Sequence, residues 1–125
     1  MSTALEDIRE TLGVYFDALY FCDVDRLQNV FHPAAVYATP DEAPFLHRTM
    51  TEYFPIVAAR QSGASRNEVR RDHIEAIDIA TDNIALARVQ CTIGTGDFLD
   101  FLTLVRVDGK WRIIAKVFKF IEQKQ

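Results

Sequence analysis

The chain has 125 residues, 49% of them apolar and 26% charged, with a formal net charge of −4. That length predicts one domain over residues 1–125, able to bury roughly two-thirds of its unfolded surface in a real core. The acidic balance excludes a nucleic-acid surface, and no stretch approaches the roughly 18 apolar residues of a membrane span.

Met1-Ser2-Thr3-Ala4-Leu5-Glu6 carries no basic region leading into an apolar run, so the expectation is a cytoplasmic protein without a signal peptide. Thr3 and Glu6 have the spacing of a capping box, opening a first helix. Leu5, Ile8, Leu12, Tyr15, Phe16 and Leu19 then recur at helical spacing along its buried stripe. Gly13 costs helix stability and reads as a point of close packing. Tyr15 has two open roles: a core aromatic whose hydroxyl meets a protein partner, or a hydroxyl pointing into a pocket. Asp23 caps a second, short helix over Val24 to Phe31, ended by Pro33, with His32 at its C-terminal end where the dipole favours a cation.

Ala34 to Thr39 predicts a first strand with Val36 and Tyr37 on opposite faces, closed by Pro40-Asp41, and Phe45 to His47 a short continuation. Thr49 and Glu52 form a second capping-box pair, opening a third helix with Tyr53, Phe54, Val57 and Ala58, which Pro55 kinks or delays and Gln61-Ser62-Gly63 ends. From Glu68 the period changes. Val69 to Ala80 reads as a long strand, Thr81-Asp82-Asn83 as its turn, and Ile84 to Ile93 as its antiparallel return, with Gly94-Thr95-Gly96 turning into a further hairpin. Arg66, Arg70 and Arg71 alternate with Glu68 and Asp72 as a solvated edge. Cys22 and Cys91 have no metal-ligand spacing and read as free thiols, and no metal site or cofactor is expected.

Asp97 to Ile121 is the organising hairpin, with Asp108-Gly109 as a type I′ turn, since both central residues of that turn need positive φ. Counting back from it pairs Arg106 with Trp111, Leu104 with Ile113 and Leu102 with Ala115 on one face. Phe101 with Lys116, Thr103 with Ile114 and Leu99 with Phe118 share the other. Both faces are apolar in the middle, so helices are expected on one and a second subunit on the other. The facing of the preceding strand stays open. A Thr95-Gly96 loop turns Arg88 and Gln90 inward, and a three-residue loop turns Val89 and Cys91 inward and exposes Arg88.

Tyr15-Phe16-Asp17-Ala18-Leu19 with Asp23-Val24-Asp25, Phe31-His32-Pro33-Ala34-Ala35-Val36 with Pro40, and above all Asp100 to Phe118 resemble the nuclear transport factor 2-like superfamily. The last run resembles its branch named Putative lumazine-binding, beside the SnoaL-like polyketide-cyclase branch. The resemblance covers nearly the whole chain. It implies an α+β, cystatin-like cone: a curved antiparallel sheet wrapped on three N-terminal helices around a pocket, with homodimerisation through the outer sheet face. Steroid isomerases of this superfamily use a tyrosine on the first helix, an aspartate before a proline after the first strand, and an acid on the penultimate strand. Here those positions carry Tyr15, Thr39 and, by the register above, Thr103, so two of the three groups differ.

Inside such a cone, Tyr15, Tyr37, Arg88, Phe101, Thr103, Lys116 and Phe118 are the candidate ligand-binding residues. Lys116 is the most informative, because an ammonium among aromatic rings needs a protein carboxylate, the cone mouth or an anionic ligand. No acid–base dyad is evident, since adjacent Asp72 and His73 point to opposite faces of a strand. Three functions stay open. One is a small-molecule binding protein for an aromatic or acidic metabolite. Another is a lyase, isomerase or cyclase acting on a carbonyl compound, favoured if Asp97 or Asp100 stands beside Lys116. The last is a purely structural dimerising domain filled by its own aromatics.

Overall fold

The structure is a computed structural model and describes residues 2–93 and 96–121. Three α-helices, α1 (Ala4–Phe21), α2 (Val24–Val30) and α3 (Met50–Ala59), precede most of a six-stranded sheet. Its strands are β1 (Phe31–Thr39), β2 (Leu46–Thr49), β3 (His73–Thr81), β4 (Ile84–Ile93), β5 (Gly96–Val107) and β6 (Lys110–Ile121). They lie in the order β2-β1-β6-β5-β4-β3, with β1 parallel to β6 and every other pair antiparallel. The sheet is curved but unclosed, since β2 and β3 remain edges. This is the α+β cone expected from the sequence.

The helix starts follow local chemistry. The Thr3 hydroxyl accepts the Glu6 amide, the Asp23 carboxylate accepts the Arg26 amide, and Thr49 with Glu52 completes a reciprocal capping box. Ile8, Leu12, Tyr15, Phe16, Ala18 and Leu19 of α1 are buried against the inner sheet face, where each large apolar side chain contributes about 1.5–3 kcal/mol. Leu5, at the start of the stripe, is exposed.

Several local expectations differ. Gly13 is exposed and a Cβ there would meet nothing, so it marks no close packing. α2 ends at Val30, and both His32 and Pro33 lie in β1. The His32 Nδ1 accepts the Ala34 amide, 3.0 Å away, instead of capping a helix. β2 pairs antiparallel with β1 rather than prolonging it. β3 starts only at His73. Before it Arg70 bridges Asp17 and Asp72, and Arg66 pairs with Glu68, which ties this solvated segment to α1. Val69, expected in the strand, is exposed ahead of it.

The main correction concerns the β5–β6 ladder. Asp108 and Gly109 have φ of 53° and 76°, and Val107 pairs with Lys110, Arg106 with Trp111 and Leu104 with Ile113, as the turn dictates. A bulge then opens between Leu104 and Thr103, and Thr103 pairs with Ala115. Ile114 is the extra residue. Beyond it Leu102 faces Lys116, Phe101 faces Val117 and Asp100 faces Phe118. One residue of slip exchanges the faces. Phe101 and Thr103, expected inside, therefore lie on the outer face, and Asp100, expected outside, is fully buried inside. β4 follows the same logic. Ile93 pairs with Gly96, a register different from both expected ones, which sets Arg88 opposite Phe101; the facing is that expected of the three-residue loop, with Arg88 outside and Val89 and Cys91 buried beside Ala87.

Candidate binding site inside the cone

Lys116 stands on β6 beside Tyr37 of β1, with a side chain only 5% exposed. Its Nζ lies 5.2 Å from the ring centre of Tyr15, 5.5 Å from Tyr37, and 5.7 Å from both Tyr53 and Phe118. Four ring faces thus present their negative quadrupoles to one ammonium. Its counter-charge comes from behind, where Asp100 Oδ2 lies 3.9 Å from Nζ, within ion-pair reach but beyond a hydrogen bond. The same carboxylate oxygen accepts a 2.6 Å hydrogen bond from the Tyr15 hydroxyl and a 3.7 Å contact from the Cys91 thiol.

Burial opposes the charge on Lys116, but the Asp100 carboxylate, together with Tyr53, Cys91 and Tyr37, outweighs it and holds Lys116 above its ordinary range. Lys116 is therefore a fixed cation at neutral pH, a hydrogen-bond donor rather than a base or nucleophile. Burial, followed by the charge of Asp100, also raises Tyr15 well above a normal phenol. Burial likewise raises the Cys91 thiol, so neither group offers an anion near neutrality.

Lys116 forms part of the wall of a cavity of about 290 Å³. Tyr37, Tyr53, Phe98 and Phe118 supply its aromatic surfaces, with Tyr37 and Tyr53 stacked at 4.3 Å. Arg48 and Arg60, each resting on one of those tyrosine rings, add two further positive charges, and Glu42 supplies a carboxylate. Two buried polar atoms near Lys116 have no hydrogen-bond partner among the described residues: the Tyr53 hydroxyl and Asp100 Oδ1. Larger hollows lie beside the Asp108-Gly109 turn and between α2 and α3, but no buried charged side chain lines either. Among the described residues no cluster of His, Cys, Asp or Glu could hold a metal ion, and no helix is long and apolar enough to cross a membrane.

Of the residues expected from the sequence, Tyr37, Lys116 and Phe118 line this cavity. Tyr15 sits one layer behind, committed to Asp100. Phe101, Thr103 and Arg88 are on the outer face, where Arg88 pairs with Glu75 and lies over the Phe101 ring. Asp100, rather than Thr103, is the β5 carboxylate that meets the tyrosine of the first helix, while Thr39 accepts the Asp41 amide at the end of β1. Asp72 pairs with Arg70 and His73 is exposed, so these two form no dyad. Sequence reasoning missed Arg48, Arg60 and Glu42, and it named Asp100 as a possible neighbour of Lys116 while the register placed it on the outer face. A signal existed for Asp100: it is a charge in the apolar middle of its strand, as Lys116 is in the middle of the facing strand.

The family described as "Putative lumazine-binding" matches residues 3–119. Aldolase FrzH of Cladobotryum sp is 25% identical over 119 residues, covering 94% of this chain and 91% of that protein. A nuclear transport factor 2-like protein of unknown function from Methylobacillus flagellatus KT is 26% identical, with a TM-score of 0.80 over 98% of this chain and 96% of that one. Another from Shewanella baltica OS155 is 21% identical, with a TM-score of 0.84 over 98% and 100%. The chain belongs to the Putative lumazine-binding family and carries the nuclear transport factor 2-like fold.

Proposed function

We propose that this domain binds a small, flat, anionic molecule in the cone, with the negative group seated on Lys116 and the ring system against Tyr37, Phe98 and Phe118. The observation that carries this reading is a buried ammonium, held charged by Asp100, facing an aromatic cavity whose other cations are Arg48 and Arg60. In such low-dielectric surroundings one fixed charge discriminates strongly between an anion and its neutral analogue. The open cavity speaks against a domain filled solidly by its own aromatics. The test is a fluorescence titration with two acidic probes, lumazine and benzoate, each against wild type and Lys116→Met. Saturable binding of at least one probe, weakened at least tenfold in the variant, is expected. Equal binding to both proteins would sink the role of Lys116.

We further propose that the domain works as a homodimer joined through its outer sheet face. Leu86, Phe101 and Val117 adjoin one another there, each more than two-fifths exposed, an apolar patch that a second copy would cover. A monomeric mass by light scattering at micromolar concentration would refute this. The free thiols Cys22 and Cys91 support a reducing, cytoplasmic setting.

A second reading has specific support in the aldolase name of the relative from Cladobotryum sp. Lys116 would donate to a carbonyl oxygen while Glu42, lining the same cavity, accepts the proton from the adjacent carbon. The electron pair of that C–H bond would become the C=C bond of an enolate whose oxygen the ammonium stabilises. Solvent deuterium appearing next to the carbonyl of phenylpyruvate faster than in buffer, and lost in Glu42→Gln, would establish it. Exchange at the buffer rate would leave binding alone.

A further inference from the structure

The hydroxyl of Tyr53 is fully buried, belongs to a residue lining the cavity, and has no hydrogen-bond partner among the described residues. Its ring is fixed by stacking on Tyr37 and by the edge of Phe31, so the hydroxyl cannot swing out to water without breaking the aromatic cluster. A phenol in this position is costly in the free protein, since an unsatisfied buried polar group forfeits its hydration without compensation. A phenylalanine would fill the same volume at no such cost.

Resting on the anion-binding reading above, we propose that the ligand is a two-point one: a flat acid whose anionic group meets Lys116 and which carries a second polar group, an oxo or hydroxyl oxygen, that pairs with the Tyr53 hydroxyl. Lys116 Nζ lies 5.7 Å from the Tyr53 ring centre, which puts the two points in neighbouring parts of one cavity wall, within reach of a single compact ring system. The remaining orphan, Asp100 Oδ1, lies behind Lys116 on a residue that does not line the cavity, and belongs to the support rather than to recognition. Tyr53 is thereby a specificity residue: it adds little for a simple carboxylate and favours the oxygenated analogue. The class is that of hydroxy- or oxo-substituted aromatic and heteroaromatic acids.

Calorimetric titration of benzoate and its meta- and para-hydroxy derivatives, against wild type and Tyr53→Phe, tests this. In wild type at least one hydroxybenzoate should bind about five- to tenfold more tightly than benzoate, the worth of one net hydrogen bond. In Tyr53→Phe the ratio of hydroxybenzoate to benzoate affinity should fall to about one. Thermal unfolding of the free variant reports on folding, and its midpoint should match or exceed wild type, because the lost hydroxyl had no partner. If benzoate binds but the hydroxyl brings no advantage, or the advantage survives in Tyr53→Phe, the two-point inference is overturned and the anion site stands. If no member of the series binds, the two-point inference is overturned, and the lumazine titration decides the anion site.

Discussion

The two ends of the β5–β6 hairpin obey different rules. At the turn end, Asp108 and Gly109 fix the pairing, and Arg106–Trp111 and Leu104–Ile113 follow by counting. At the open end, past Ile114, the same counting gives every residue the wrong partner and places Phe101 inside and Asp100 outside, although Lys116 and Phe118 keep their expected inner face. The inner face of the turn end builds core, with Leu104 and Ile113 fully buried. The open end builds the site, bringing Asp100, Lys116 and Phe118 inward together. A bulge adds local twist and bend, so the residue that curves the sheet also decides which polar groups it encloses.

The largest expected effect comes from deletions that separate the two ends. Removing Ile114 restores uniform alternation while keeping Trp111, Ile113, Lys116 and Phe118 on the inner face, and should cost about 1–2 kcal/mol of urea-measured stability. Removing Val105 from the partner strand turns Leu104 outward against a fixed turn and should cost at least about 5 kcal/mol, much of a small domain's stability. Equal losses from the two deletions would refute the bulge as the source of the facing.

Next in size is the buried pair. Asp100→Leu leaves the Lys116 ammonium without a carboxylate and should cost about 3–5 kcal/mol, most of it recovered when Lys116→Met is added. Lys116 and Tyr15 both hold their protons above their ordinary values in the folded state. Their stabilisation is therefore complete below about pH 10 and falls as pH rises through the folded-state values. Unfolding midpoints measured across the alkaline range should show this decline, and Lys116→Met should flatten it.

Tyr15→Phe removes a 2.6 Å hydrogen bond to a buried carboxylate and should cost about 1.5–3 kcal/mol, less than Asp100→Leu because the ion pair survives. The smallest effect belongs to the turn itself. Gly109→Ala places a side chain at a φ of 76° and should cost about 1–2 kcal/mol by thermal unfolding, with the cavity and any ligand affinity unchanged.

Much of this molecule was legible one segment at a time. Capping at Thr3, Asp23 and Thr49, the stripe of α1, the Asp108-Gly109 turn and the span of β4 all follow from interactions between residues a few positions apart. Lys116 and Tyr37 could be nominated for the cavity because a charge and a phenol in apolar strands need partners. Arg48, Arg60 and Glu42 could not be. They come from β2, the end of α3 and the β1–β2 loop, and only the folded cone brings them near one another.

The sequence by itself determined the elements, their order and the need for Lys116 to find a counter-charge, because periodicity, capping and turn chemistry are local, while the α+β cone was implied by the resemblance to the nuclear transport factor 2-like superfamily. Only the tertiary structure decided that the partner is Asp100 and that Phe101, Thr103 and Arg88 face outward. That choice rests on a single extra residue in β6, and a bulge is set by how far the sheet must bend over α1, not by any preference Ile114 has alone.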